Sequence, residues 1–123
     1  MIPPIPKMLL VHSAELITRY NADKWGNAAE CDRASLKNVR IEPASKSVTD
    51  TSGTVIQLSA TLIYDCRNSA PRGVVFALTG DKTCGKTVEV QQVVFGGRTF
   101  TVKVIDTLYA DADRIHHYEV GLA

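Results

Sequence analysis

Several separate stretches of this chain alternate apolar and polar residues with a period of two, and that pattern excludes most folds open to a chain of 123 residues. The clearest runs through Ile56, Leu58, Ala60, Leu62, Tyr64 and Cys66 on one face, with Gln57, Ser59, Thr61 and Asp65 on the other, the signature of a half-buried strand. Val88, Val90 and Val94 alternate up to Gly96-Gly97, and Phe100, Val102 and Val104 resume the pattern beyond it. That is a hairpin with a two-glycine turn. His116, Tyr118, Val120 and Leu122 alternate against His117 and Glu119. Ser35 to Glu42 sets Lys37, Val39 and Ile41 against Asn38, Arg40 and Glu42, with Pro43 closing the strand. Ala14, Leu16, Thr18 and Tyr20 share one parity within His12 to Tyr20, and Val74 to Leu78 is a short apolar strand. Strands that each bury one face need a second sheet or closure. The expectation is an all-β fold, a small β-barrel or sandwich of about six or seven antiparallel strands with long loops.

A chain of this length suits one core, so residues 1–123 read as a single β domain with a Pro-rich N-terminal arm at 1–11. With 45% apolar and 22% charged residues and a formal net charge of +1, the composition is that of a folding chain, without a global basic field. Pro3, Pro4 and Pro6 interrupt any signal-peptide core, and no run of eighteen apolar residues is present. Cys31, Cys66 and Cys84 are odd in number and far apart, which signals reduced thiols rather than disulfides or a zinc site, with Cys66 packed. Loops are expected around Trp25, from Ala44 to Gly53, at Asn68 to Gly73, from Gly80 to Lys86 and around Asp111 and Asp113. The expected core comprises Leu58, Leu62, Tyr64, Phe100, Val102, Val104, Tyr118 and Val120.

Gly80-Asp81-Lys82-Thr83-Cys84-Gly85-Lys86-Thr87 matches G-x-x-x-x-G-K-T letter for letter. Phosphate binding by that motif requires a helix starting at the lysine, so that N–H groups and helix dipole converge on the ligand. Thr87 to Phe95 instead has the β-branched alternation of a strand, so no nucleotide site and no cofactor is expected. His116, His117 and Glu119 carry metal-ligand and general-base chemistry. On a regular strand His116 points away from the other two, so at most two of the three converge, and no metal site is expected. No G-x-S-x-G or cysteine signature nominates a nucleophile, and Asp111 and Asp113 read as turn residues. The chain is therefore not expected to be an enzyme. Arg67, Arg72, Lys82 and Lys86, offset by Asp81, make the region from Arg67 to Thr87 locally basic and able to meet phosphates.

Pro6 with Leu9 and His12, Lys24-Trp25-Gly26, Leu36 to Glu42, Asp65 to Ser69, the hairpin from Gly96 to Val102 and the ending His116 to Val120 recur in an order that resembles phage minor capsid proteins, in particular head-tail connectors of the head-closure or stopper type. The resemblance spans nearly the whole chain and departs from the pattern between Gly80 and Val94. It implies a structural component of a bacteriophage or prophage virion, located at the head-tail junction and present in the host cytoplasm during assembly. The implied partners are further copies of the chain in a ring, portal or adaptor proteins, tail proteins and packaged DNA, with no membrane. The isolated chain is expected to be monomeric. Arg67, Arg72, Lys82 and Lys86 are the residues expected to face DNA, and the arm with the loops at Ala44 to Gly53 and Arg67 to Lys86 to form the contacts. The alternatives are a stand-alone β-barrel module binding oligonucleotide or oligosaccharide and, behind it, a small P-loop nucleotide-binding protein.

Overall fold

The computed structural model describes residues 4–21, 31–49, 52–83, 86–110 and 114–123, leaving aside the side chains of 44, 46 and 83. The turn expected around Trp25 and the acidic loop at Asp111 and Asp113 lie outside the described residues. A short 3-10 turn at Lys7–Leu9 precedes β1 (His12–Tyr20), β2 (Cys31–Thr49), β3 (Val55–Asp65), β4 (Lys82–Thr83), β5 (Lys86–Phe95), β6 (Arg98–Tyr109) and β7 (Ile115–Leu122). Neighbours run β1-β2-β3-β7-β6-β5, and β5 returns to β1, so six antiparallel strands close into a barrel with β4 added to β5. Of the two all-β architectures expected, the barrel is the one formed. Closure pairs the edges that an open sheet would expose. Two three-stranded meanders, β1-β2-β3 and β5-β6-β7, make the wall, joined by the long connection after Asp65.

Every strand of the wall sends side chains inward: Leu16 from β1; Leu36, Val39 and Ile41 from β2; Ala60, Leu62 and Tyr64 from β3; Val93 from β5; Phe100 and Val102 from β6; Val120 and Leu122 from β7. In a barrel this small, side chains fill the interior. Each large apolar side chain buried here contributes about 1.5–3 kcal/mol. Of the expected core, Leu58, Leu62, Tyr64, Phe100, Val102 and Val120 are buried, Tyr118 packs on the cluster while half-buried, and Val104 is half-buried. Gly121 sits in β7 because a Cβ there would lie 2.8 Å from Leu58 Cδ1. The hairpin turn is as expected: Gly96 and Gly97 have φ of 59° and 78°, the left-handed pair that a two-residue turn of matching twist requires.

Alternation fails where strands carry an extra residue, because a bulge flips every side chain after it. In β2, Leu36 and Val39 both point inward, three apart, across Asn38, whose φ is 55°. Pro43 does not end β2: it sits opposite Ala60, the register slips before Lys46 meets Leu58, and the strand continues to Thr49. A proline fits a strand at such a bulge because its missing N–H is not needed there. Much of the expected loop at Ala44 to Gly53 is therefore a hairpin that outruns the wall. In β5 the register shifts between Val90 and Val88, so Gln91 and Val93 turn inward where Val90 and Val94 were expected. In β6 the shift between Val102 and Val104 turns Val104 out of the interior.

Val74 to Leu78, expected as a strand, pairs with no strand among the described residues. It crosses the barrel as an extended strap with Val74, Phe76 and Leu78 packed on the core. Side chains supply several of its hydrogen bonds. The Gln91 amide, 1% exposed, accepts from Ala77 N–H at 2.9 Å and donates to Val75 C=O at 2.9 Å and Thr18 Oγ1 at 3.0 Å. Leu78 N–H donates to Asp81 Oδ2 at 2.8 Å. One primary amide thus takes the place of a neighbouring peptide group, which a buried backbone needs. Phe76 also stacks edge-on against Tyr64, centroids 5.6 Å apart, and tilts against Tyr118 at 5.6 Å.

Candidate functional site

The features that distinguish this barrel gather around Asp65, the arm, the strap and β4. Asp65 was expected on the solvent face of β3, and it is fully buried. Its Oδ1 accepts the N–H groups of Arg67 and Asn68, both at 2.9 Å, and its Oδ2 that of Ile5 at 2.8 Å. Asn68 Nδ2 donates to Ile5 C=O at 2.7 Å. Ser69 Oγ accepts from Asp65 N–H and donates to Asn38 C=O, while Lys37 and Ala70 exchange two backbone bonds. One buried carboxylate therefore folds the turn after β3 and ties the arm to it. An aspartate closing an apolar strand two and three residues before groups that can cap it is the sequence signal that would have found this role. For Gln91 the sequence carries no such signal, because Gln92 beside it is an equal candidate.

The docked arm leaves an apolar outer face: Met8, Leu9 and Val11 are exposed, Met8 at 81%, while Leu10 is buried beneath them. Arg40 Nη1 donates to Leu9 C=O at 3.2 Å. His12 Nδ1 accepts Ile41 N–H at 3.0 Å, and its ring meets Phe95 edge-on. The other projecting element is the β2–β3 hairpin. Among the described residues, Pro43 to Thr49 pair with β3 alone, and Val55 to Ser59 with β2 alone.

Of the four basic residues, Arg67 and Arg72 come together, with Arg72 Nη2 donating to Arg67 C=O at 3.3 Å. Lys82 is opposite Thr87 and Lys86 opposite Thr83, so by alternation the two lysines leave the ribbon on opposite faces. Lys86 Nζ lies 5.3 Å from the centre of the Tyr20 ring, within cation–π range. The G-x-x-x-x-G-K-T stretch forms the β4–β5 ribbon, with Cys84 and Gly85 outside the described residues. Lys86 opens a strand, and Gly80 N–H, Asp81 C=O and Val88 form a 2.8 Å bonded pair. The backbone at the two ends of the motif is thus engaged across the ribbon. Titration with Mg-ATP is expected to give no heat beyond dilution; micromolar binding abolished by Lys86→Ala would contradict this assignment.

His116, His117 and Glu119 depart from expectation, because all three join in a row. His116 Nδ1 is 2.7 Å from His117 Nδ1, and His117 Nε2 is 3.1 Å from Glu119 Oε2. The cause is another bulge: Leu108 pairs with His117 and Tyr109 with Ile115, so His116 is the extra residue and successive side chains lean together. His117 meets its neighbours through different nitrogens, so the three do not surround one point. Among the described residues no group of three His, Cys, Asp or Glu is placed to hold a metal ion. Nearby, burial pushes the Cys66 thiol up, with the Asp65 charge adding to it, and burial likewise raises the Tyr64 and Tyr118 hydroxyls. Tyr64 donates to Pro71 C=O. A thiol pushed up in this way is less reactive and suits a packing role.

Among the described residues, crevices open on the barrel. One of about 240 Å³ lies between the strap and β1–β2, beside Leu16, Thr18, Asp32 and Val75. Another of about 190 Å³ lies beside Ile41, Pro43, Phe95 and Phe100. Both fall below the roughly 300–1,000 Å³ of small-molecule sites. No helix among the described residues is long and apolar enough to cross a membrane. What the site offers is projecting backbone, an apolar arm, and cations on the connection and the β4–β5 ribbon. A comparison with curated proteins gives no match. The family model described as Minor capsid protein matches residues 6–122. With every strand of the barrel and most of the described arm inside that match, the chain belongs to the minor capsid protein family, the structural proteins of phage virions.

Proposed function

We propose that this minor capsid protein is a head-tail connector subunit, assembling with further copies into a ring that closes the DNA-filled head and docks the tail. Family membership carries the reading. The architecture supports it: a closed barrel provides a rigid body, while contact elements are concentrated in the arm, the β2–β3 hairpin and the connection from Arg67 to Lys86. A ring subunit needs two different surfaces for its two neighbours, since head-to-tail contacts close only at a fixed rotation per copy. The hairpin and the arm's apolar face of Met8, Leu9 and Val11 are suited to those roles. Arg67, Arg72, Lys82 and Lys86 are proposed to meet DNA phosphates, a contact that salt weakens. Portal or adaptor proteins template the ring, so the isolated chain is a monomer.

The test is complementation of a phage lacking this gene with chains in which the four basic residues are neutralised, or 49–52 deleted, once folding is verified. The proposal expects heads that lose DNA in the first case and heads without tails in the second. Full-titre phage from both variants would show these elements to be plain surface and remove the assignment.

A further inference from the structure

Asp65 and Asn68 hold the arm by the backbone of a single residue. Asp65 Oδ2 accepts Ile5 N–H at 2.8 Å, and Asn68 Nδ2 donates to Ile5 C=O at 2.7 Å. The sequence sets the register of this contact. Pro3, Pro4 and Pro6 have no N–H, so Ile5 is the sole backbone donor from residue 3 to residue 6. Sliding the arm by one residue either way brings a proline nitrogen to the carboxylate. A side-chain acceptor and a side-chain donor, spaced to take the N–H and C=O of one residue bracketed by prolines, make a socket for an extended Pro-x-Pro segment.

The stretch between this socket and β1 has the properties of a hinge. Lys7–Leu9 is a single 3-10 turn that buries none of its residues. It is closed by Leu9 N–H to Pro6 C=O and Leu10 N–H to Lys7 C=O, both at 3.0 Å. Leu10, 2% exposed, anchors the chain beyond it. Unwinding the turn lengthens this stretch from roughly 2.0 to about 3.3 Å per residue and leaves the core intact.

We propose that the socket is exchangeable: it holds the chain's own arm in the isolated protein and takes the Pro4-Ile5-Pro6 segment of a second copy in the assembly. Both socket bonds go to main chain, so they are the same whichever copy supplies the arm, the condition under which exchanging an element between copies costs little. The second copy is the occupant because the chain itself carries the matching segment, with its one donor in register. Exchange also lays the exposed Met8 and Leu9 along the neighbour, where burial of apolar surface favours it. Exchange around the ring rests on the connector reading; exchange itself is tested on isolated chains, so the two fail separately.

Two full-length variants separate arm from socket. Ile5→Pro removes the N–H that the socket takes and leaves the socket intact. Asn68→Asp keeps the backbone N–H that caps onto Asp65 Oδ1 but turns an acceptor toward Ile5 C=O, so the socket fails and the arm is intact. A synthetic peptide of residues 1–9 is titrated into isotope-labelled wild type and Ile5→Pro, with the Asn68 side-chain amide followed by NMR and the barrel resonances reporting folding. The peptide should bind Ile5→Pro at least about tenfold more tightly than wild type, whose own arm competes at the effective concentration of a short tether. The same peptide carrying Ile5→Pro should leave the amide unmoved. Mixing Ile5→Pro with Asn68→Asp chains should give a heterodimer in sedimentation while each alone stays monomeric, since the mixture alone holds both a free arm and an open socket. Displacement of the arm from wild type by millimolar peptide is the same test without a variant. An Asn68 amide unmoved by peptide in both chains, equal binding of peptides with and without the Ile5 N–H, or a mixture that stays monomeric would overturn the proposal.

Discussion

Leu62→Ala is expected to remove roughly 2–5 kcal/mol of stability, enough to lower the melting temperature on the order of 10 °C. Leu62 lies in the middle of β3, fully buried, between Ile41 of β2 and Val120 of β7 in the ladder. Three strands hold its neighbours in place, so the wall cannot collapse into the space left behind. The matched control is Val55→Ala on the same strand, where the side chain is 66% exposed and the change should stay within about 0.5 kcal/mol. Thermal or denaturant unfolding of both variants decides it. Equal melting temperatures would mean that β3 presents the other face to the interior.

Gln91→Leu is the second large effect, and its cause is hydrogen bonding rather than volume. Leucine fills similar space but leaves Ala77 N–H, Val75 C=O and the Thr18 hydroxyl without their partner. An unsatisfied buried group costs about 1–3 kcal/mol. Because the strap can shift toward water, the expected loss is about 2–4 kcal/mol, with new proteolytic cleavage between Val74 and Leu78. Gln92→Leu provides the contrast. Its side chain accepts from Arg19 Nε at 3.4 Å on the outer surface, so stability should change by no more than about 0.5 kcal/mol. Similar losses for the two glutamines would contradict the inward position of Gln91.

These two residues also mark what the sequence could and could not reveal. In β3 the alternation from Leu58 to Tyr64 runs without a bulge, so the period alone placed its inner face correctly. The glycine pair at 96–97 marked its hairpin because few turns of the right twist tolerate other residues. In β5, Val88, Val90 and Val94 share a parity that the bulge beside Glu89 breaks, and nothing in a string of valines announces an extra residue. Pro43 looked like a terminus because a proline in a strand and a proline after one are alike until the partner register is known. Val74 to Leu78 has every local property of a strand; what it lacks is a neighbour, and that is decided by the closure of β1 on β5.

The site was legible to a similar degree. That the G-x-x-x-x-G-K-T stretch leads into a strand followed from its β-branched residues. The pairing of Arg67 with Arg72, and the divergence of Lys82 from Lys86, depended on how the connection folds back. Asp65 sat at an outward parity and was turned inward by the turn it caps. His116 was set apart from His117 by alternation and brought back to it by one inserted residue. For His116 a long-range register overrode a local period.

The central claim, that this barrel is a ring-forming part of the head-tail junction, is tested most directly by cryo-electron microscopy of tailed particles with focused reconstruction of the portal vertex. The account predicts a ring of six-stranded barrels between portal and tail, neighbours joined through the β2–β3 hairpin and the arm, with the connection from Arg67 to Lys86 facing the DNA channel. Barrels found elsewhere on the capsid, or no copy of this chain at the vertex of complete particles, would contradict it.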